Sequence, residues 1–183
     1  KKIWNISTLS WDNIENKSLN YEFSLSSEGI ANVEVKDGSL ISGNKGSGFF
    51  TLVHDPWRPV PSDGGHLGQN PGFFDRKNID KRFDVAVFQT NFLKEKIHLS
   101  GIPILFTSVI SDQESFDICL ALSLIDSDEK AVSQFSTGFL RVKNNQQKIY
   151  AIEFQPINIS VSKGNKLRLS ISASAWPAIG VNT

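Results

Sequence analysis

The chain reads as an all-β protein, an antiparallel sandwich or jelly roll, on three observations. Apolar and polar residues alternate with period two along most of its 183 residues. Turn-forming residues recur at short intervals, and no window of helical length keeps a 3.6-residue apolar stripe. Many short strands separated by turns make a sandwich or a closed roll. A length of 183 residues suits one domain, 1–183, with a core of its own.

In order, alternation predicts strands over 19–26, 31–36, 49–53, 84–89, 94–100, 104–110, 117–125, 136–143, 148–155 and 166–173. Lys36-Asp37-Gly38, the glycines from Gly43 to Gly48, Asn144-Asn145 and Lys163-Gly164-Asn165 mark turns between them. In 117–125, Ile118, Leu120, Leu122 and Leu124 line one face while Cys119, Ala121 and Ser123 are small, so this strand should be covered on both sides. In 166–173, Leu167, Leu169, Ile171 and Ala173 share a face and polar groups take the other, which predicts a half-exposed strand. Residues 126–134 have room for a turn of helix at most.

Between strand-like runs lies His54-Asp55-Pro56-Trp57-Arg58-Pro59-Val60-Pro61-Ser62-Asp63-Gly64-Gly65-His66. Pro56, Pro59 and Pro61 fix φ and remove donors, so the segment should run as an extended ribbon that no strand pairs with along its whole length. Gly64-Gly65 then permits a sharp reversal through positive φ. A long stiff loop in a β domain serves a site or seals an interface.

Balanced charge, 19 basic against 19 acidic residues, speaks against nucleic acid, which demands a basic excess on one face. No like-charge run suggests a membrane-surface patch, and no apolar run is long enough to span a membrane. The single cysteine, Cys119, sits in an apolar strand and reads as a small buried hydrophobe. One thiol is compatible with a reducing, cytoplasmic compartment. The absence of Met, and a start at Lys1-Lys2 already inside an apolar-patterned segment, read as a piece of a longer polypeptide.

The sequence has no Gly-x-Ser-x-Gly elbow, and His54, His66 and His98 fall in no zinc-ligand spacing. His98 alternates with Ile97 and Leu99 and should face solvent. The acidic groups at Asp112, Glu114 and Asp117 and at Asp126, Asp128 and Glu129 lack the loop glycine and spacing of a calcium hand, so no metal or other cofactor is expected. Trp4, Trp11, Trp57, Trp176, Phe73 and Phe74 lie near loops or strand ends, and exposed aromatics of that kind can bind sugars, which makes a carbohydrate-binding module the alternative reading.

A further set of segments is informative by its order. Asp55, Pro56, Pro59, Val60, Pro61, Gly64 and Gly65 form an Asp-Pro-x-x-Pro-Val-Pro-x-x-Gly-Gly signature after an aromatic strand. Phe74-Asp75-Arg76 and the run from Arg82 to Thr90 come next, then Leu99-Ser100-Gly101-Ile102-Pro103, Ser111-Asp112 with Phe116-Asp117, and Gly138-Phe139-Leu140-Arg141. Gly164 to Ser172, Ala175-Trp176-Pro177 and Asn182 close the chain. Together they resemble the carboxy-terminal domain of the X-prolyl dipeptidyl-peptidase and cocaine-esterase (CocE/NonD) family of serine hydrolases. The stretch from Arg141 to Lys148 is shorter than the family's, and Asp126 to Glu129 stands where a glycine turn is usual.

The resemblance implies a galactose-binding-like jelly roll without catalytic residues, partnered by an α/β-hydrolase domain of the same polypeptide that carries the serine triad. It leaves a homo-oligomeric parent open. Its implied role is to pack on that domain and help wall the substrate cleft. The stiff loop from Asp55 to Asp75 is the expected docking face and cleft rim, through Asp55, Trp57, Pro59, Pro61, Gly64, Gly65, Leu67, Phe73 and Phe74. Arg76, Arg82, Asp84 and Arg141 are expected in structural ion pairs.

Overall fold

A computed structural model describes residues 21–33, 38–43, 45–66, 70–144 and 149–182, and every regular element among them is a strand. In chain order these are β1 (Phe23–Gly29), β2 (Ser39–Ser42), β3 (Gly48–Phe50), β4 (Phe74–Asp75), β5 (Val85–Gln89) and β6 (Ile97–Gly101). They continue as β7 (Ile104–Ser108), β8 (Phe116–Ile125), β9 (Val132–Val142), β10 (Ile149–Glu153), β11 (Ile157–Val161) and β12 (Lys166–Ser172). Eight strands form one sheet in the order β3-β1-β2-β5-β12-β8-β9-β4, while β7 pairs with β10 and β6 with β11 in two antiparallel ribbons. Partners distant in sequence, such as β5 with β12, are what a rolled β sandwich produces.

The period of two decides which side chains each layer receives. Leu167, Leu169 and Ile171 of β12 share a face with Ile118, Leu120, Leu122 and Leu124 of β8, as the register Leu169 to Leu122 and Ile171 to Leu120 requires. Tyr150 and Ile152 of β10, with Phe154 just after it, pack on Phe88, Ile118, Leu120, Leu169 and Ile171. Ile97 of β6 and Val161 of β11 cover Leu167 at the other end. Each fully buried Phe, Leu or Ile stabilises the fold by roughly 1.5–3 kcal/mol, so this interface is the main hydrophobic core.

The opposite face of the large sheet is buried as well, but by irregular chain. Residues 54–66 and 70–84 lie over it, bringing Val60 and Ile79 against Val85 and Val87 of β5. The strand β8 is accordingly covered on both sides, as its small outward residues predict. The expectation of a half-exposed 166–173 strand is overturned: Arg168, Ser170 and Ser172 are buried along with Leu167, Leu169 and Ile171. Polar residues in alternation meant an internal polar layer here, because Arg168 and Ser170 find their partner in Asp80 rather than in water.

Other elements differ in extent. Ala31 to Val33 form no strand; Ala31 packs in the core and its carbonyl accepts the Val87 N–H at 2.8 Å. Residues 34–36 of that expected strand, and 19–20 of the first, lie outside the described residues. The 49–53 strand stops at Phe50, and β9 begins already at Val132 because residues 126–131 make a turn, with Glu129 at φ 53°, instead of any helix. Strands β2, β4 and β11 were not expected.

Candidate functional site

The proline-rich ribbon is fastened from beneath at three points. At its start His54 Nε2 lies 3.2 Å from the Asn182 carbonyl oxygen. Asp55 then makes a tight turn, its Oδ1 accepting the Trp57 N–H at 3.0 Å and its carbonyl accepting the Arg58 N–H at 3.1 Å. Arg82 clamps this turn: Nη2 donates to the Arg58 carbonyl at 2.6 Å, and Nε and Nη2 reach Asp84 at 2.8 and 2.6 Å. Its hydrogen bond to Asp84 raises the guanidinium above its ordinary pKa against the opposing effect of burial, so the clamp stays charged.

The second fastening uses the residues that alternate with proline. Pro59 and Pro61 have no N–H, so Val60 and Ser62 do the donating, to Ser174 Oγ at 2.9 Å and to the Trp176 carbonyl at 2.8 Å. The Val60 carbonyl accepts the Trp176 N–H at 2.9 Å and Ser62 Oγ accepts the Ala178 N–H at 3.0 Å. Pro61 and Trp176 thereby form a single parallel bridge, the limit of pairing that the prolines allow. Val60, 2% exposed, is the apolar plug that seats the ribbon on β5.

The third fastening is the glycine reversal. Gly64 and Gly65 adopt φ of 73° and 71°, and Gly65 exchanges two 2.9 Å hydrogen bonds with Gly72, closing the loop at its neck. A Cβ on Gly64 would stand 2.4 Å from Phe74 Cβ, so the close approach of β4 also demands glycine there.

With the inner side pinned, the outer side carries aromatics. Trp57 is 94% exposed and Phe73 65%; Phe83 and Trp176, on the segments bound to the ribbon, are 67% and 48% exposed. Asp55, Pro59, Pro61 and Gly65 are half-buried and Gly64 is buried. Phe74 is half-buried too and packs inward against the Val60 cluster. Leu67, Trp4 and Trp11 lie outside the described residues.

Beneath the ribbon a polar network joins the turn after β4 to β9 and β12. Asp80, fully buried, accepts from Arg76 Nε and Arg168 Nη1, each at 3.1 Å, and from Ser170 Oγ at 2.9 Å. Arg76 Nη1 donates to Gln134 Oε1 at 2.8 Å, and Gln134 Nε2 donates to the Asp63 carbonyl at 3.4 Å, which ties the network to the ribbon. Arg76, Arg82, Asp84 and Arg141 are thus all in ion pairs, Arg141 with Asp117 at 2.7 Å. Asp80 and Gln134 carried no signal in sequence beyond the four-residue spacing from Arg76 to Asp80.

The remaining polar candidates separate. His66 Nδ1 lies 3.1 Å from Thr137 Oγ1, and His98, exposed on β6 as expected, lies 3.1 Å from Ser160 Oγ across the β6–β11 ribbon. No described carboxylate is bonded to either ring, so neither imidazole has the orienting acid of a triad. Asp117 is taken up by Arg141, and among the described residues no three His, Cys, Asp or Glu side chains converge to hold a metal. No described helix is long and apolar enough to cross a membrane.

The most built feature of this all-β chain is a pinned ribbon with an aromatic outer edge. The chain belongs to the family of the X-Pro dipeptidyl-peptidase C-terminal non-catalytic domain, whose model matches residues 16–183. No curated protein matches the chain. Among solved structures it is similar to an aminopeptidase from a marine sediment archaeon, Thaumarchaeota archaeon, with a TM-score of 0.69 and 17% identity over 88% of this chain and 31% of that one. It is also similar to an α-amino acid ester hydrolase, with a TM-score of 0.59 and 18% identity over 69% of this chain and 25% of the other. A CocE/NonD family hydrolase from Staphylococcus aureus follows at a TM-score of 0.50 and 13% identity, over 86% and 29%. The chain spans less than a third of the length of each of these proteins. At such identities the likeness is one of fold.

Proposed function

We propose that the 55–75 loop is the surface on which this accessory domain packs against an α/β-hydrolase domain of the same polypeptide, and that its outer edge helps wall the substrate cleft. The parent then acts as a serine hydrolase on a prolyl peptide or an ester, through an acyl-enzyme formed on the partner domain. The observation that carries the reading is Trp57: 94% exposed, yet on a backbone held by Asp55 and Arg82. An aromatic on a fixed backbone loses little conformational entropy when it docks, so most of its burial free energy is available for association. The family's description as non-catalytic, and its match over residues 16–183, support a role exerted on a neighbouring domain.

The test is made in the intact parent enzyme. Trp57→Asp should split a single thermal unfolding transition into two and raise KM for a small acyl or aminoacyl-prolyl chromogenic substrate more than it lowers kcat. A single unchanged transition with unchanged KM, together with undiminished hydrogen exchange at 55–66, would remove the loop from the interface.

A further inference from the structure

The two strand pairs that cover the hydrophobic face of the large sheet show solvent different surfaces. Strand β6 leads into β7 through Ile102-Pro103 and β10 into β11 through residues 154–156, so the pairs are successive halves of one bent ribbon. Both lay their inward side chains on the core. The β6–β11 half turns His98, Ser100, Asn158 and Ser160 outward, as a solvated surface requires. The β7–β10 half turns Ile104, Phe106 and Ile149 outward instead.

The apolar row runs past the ends of β7. Exposure alternates strictly from Ile102 to Ile110, and four of the five outward residues, Ile102, Ile104, Phe106 and Ile110, are large, apolar and between 45% and 80% exposed. Ile149 stands opposite the fifth, Ser108, and fills that gap in the row. Together these five side chains expose on the order of 600 Å², the upper end for the largest apolar patch on a monomer and most of the roughly 800 Å² that one partner gives to a standard interface.

The same strand is an unguarded edge. It pairs with β10 on one side and has no ladder partner on the other among the described residues. Edges that stay single are ordinarily protected by charge, proline or a bulge. From Leu99 to Ser111 the chain carries no charged residue, and its one proline there, Pro103, lies before β7 begins. The one charge on the outward face of this half, Glu153, sits on β10 opposite Ile104, one strand away from the free edge.

This edge is complementary to itself. With a second β7 running antiparallel about a two-fold axis at Phe106, Phe106 faces its own counterpart, Ile104 faces Ser108 and Ile102 faces Ile110. Cross-strand aromatic and aliphatic pairs of this kind stabilise a ladder, and no like charges oppose one another. The proline-rich ribbon covers the other face of the large sheet, so a hydrolase domain docked on the 55–75 loop leaves β7 available; this step rests on that reading.

We propose that β7 is the contact between two copies of this chain, which join edge to edge in the order β10-β7-β7-β10 across a two-fold axis at Phe106. Sedimentation velocity of the full chain should show a reversible monomer–dimer equilibrium, and amide exchange over 104–108 should slow as concentration rises. Phe106→Lys, at a site 66% exposed, should weaken the dimer at least about tenfold, because the axis sets the two introduced charges against each other. Phe106→Glu should do the same, and mixing the two variants should restore the dimer. A chain that stays monomeric overturns the proposal, and slow exchange over 104–108 at every concentration would then show the edge filled from within. A dimer abolished by Trp57→Asp but not by Phe106→Lys overturns it as well. In the intact parent enzyme Phe106→Lys should leave the single unfolding transition and KM unchanged while Trp57→Asp alters both, so either reading can fail without the other. If Phe106→Lys splits that transition, the hydrolase domain and not a second copy sits on β7.

Discussion

The two faces of the large sheet are covered in different ways. On one, the β7–β10 and β6–β11 ribbons lay Tyr150, Ile152, Ile97 and Val161 on an apolar surface. On the other, irregular chain covers a layer of serines, glutamines and arginines, with apolar contact confined to Val60, Ile79 and their neighbours. Hydrophobic contact is non-directional and tolerates repacking, whereas a buried ion pair tolerates only the arrangement that satisfies it. The strand-covered face therefore provides most of the stability. The loop-covered face fixes one conformation of a segment that has almost no backbone pairing of its own.

The sharpest way to break this contrast is Asp80→Ala. Removing the one carboxylate between Arg76 and Arg168 leaves two buried cations unpaired, and the expected loss is about 4 kcal/mol in urea unfolding. On the opposite face Ile152→Ala, at a site 1% exposed, should cost about 3 kcal/mol through lost burial and a residual cavity. The two variants should differ in kind: Ile152→Val recovers most of the loss, while Asp80→Asn recovers little because an amide brings no charge. If Asp80→Asn proves as mild as Ile152→Val, the polar layer is not what holds the ribbon.

Gly64→Ala probes the ribbon at its reversal, where the added Cβ would press on Phe74 and on Gln134 Nε2, 3.0 Å away. Its φ of 73° and a Cβ only 2.4 Å from that of Phe74 predict a loss of about 2 kcal/mol. Hydrogen exchange should quicken at Gly65 and Gly72, whose mutual bonds close the neck, and remain slow in β10. Uniform quickening in both places would mean that the two coverings are one cooperative unit.

These contrasts also mark what could be read from the residues alone. The strand 84–89 was legible because its run is apolar and ends at turn residues, and 117–125 because small residues alternate with large ones. The ribbon was legible because proline and glycine act through local backbone chemistry. The polar layer was not. Alternation of Arg168, Ser170 and Ser172 with leucine and isoleucine looks the same whether water or protein covers the polar side, and the deciding partner, Asp80, is 88 and 90 residues away from Arg168 and Ser170. Strand β11 was not expected although Ile157, Ile159 and Val161 alternate. Of the site, the signature residues of the ribbon were legible and its fastenings by Ser174, Asp80 and Gln134 were not, because each depends on a contact that only the fold creates.

Cys119 sharpens the comparison from the sheet itself, since it points into the polar layer but is sealed there. Its folded-state pKa is raised from 9.0 to about 12, so the thiol stays protonated while the unfolded chain ionises. Stability conferred this way is fully present below pH 9 and is lost as pH rises toward 12, because the unfolded state binds fewer protons in that window. The expected loss is about 1.4 kcal/mol between pH 8 and pH 10, and Cys119→Ala should abolish this part of the slope. Rapid labelling of Cys119 by a thiol reagent under native conditions at pH 8 would show that the ribbon opens and the seal is not permanent.

The smallest effect expected is also the one that separates inside from outside. Trp57→Ala removes the most exposed large side chain of the ribbon, one that leaves its backbone fastenings through Asp55 and Arg82 intact. Its cost to the stability of the chain should stay within about 0.5 kcal/mol, as for surface substitutions generally. Val60→Ala, three residues on and 2% exposed, should cost about 1–3 kcal/mol by the same measurement, although valine is the far smaller side chain. Large side chains ordinarily contribute most where they are buried, so a tryptophan that contributes nothing to its own domain is what the proposed docking edge requires. Should Trp57→Ala destabilise the chain as much as Val60→Ala, the indole belongs to the internal covering of the polar face, and the docking edge must be sought at Phe73 and Trp176 instead.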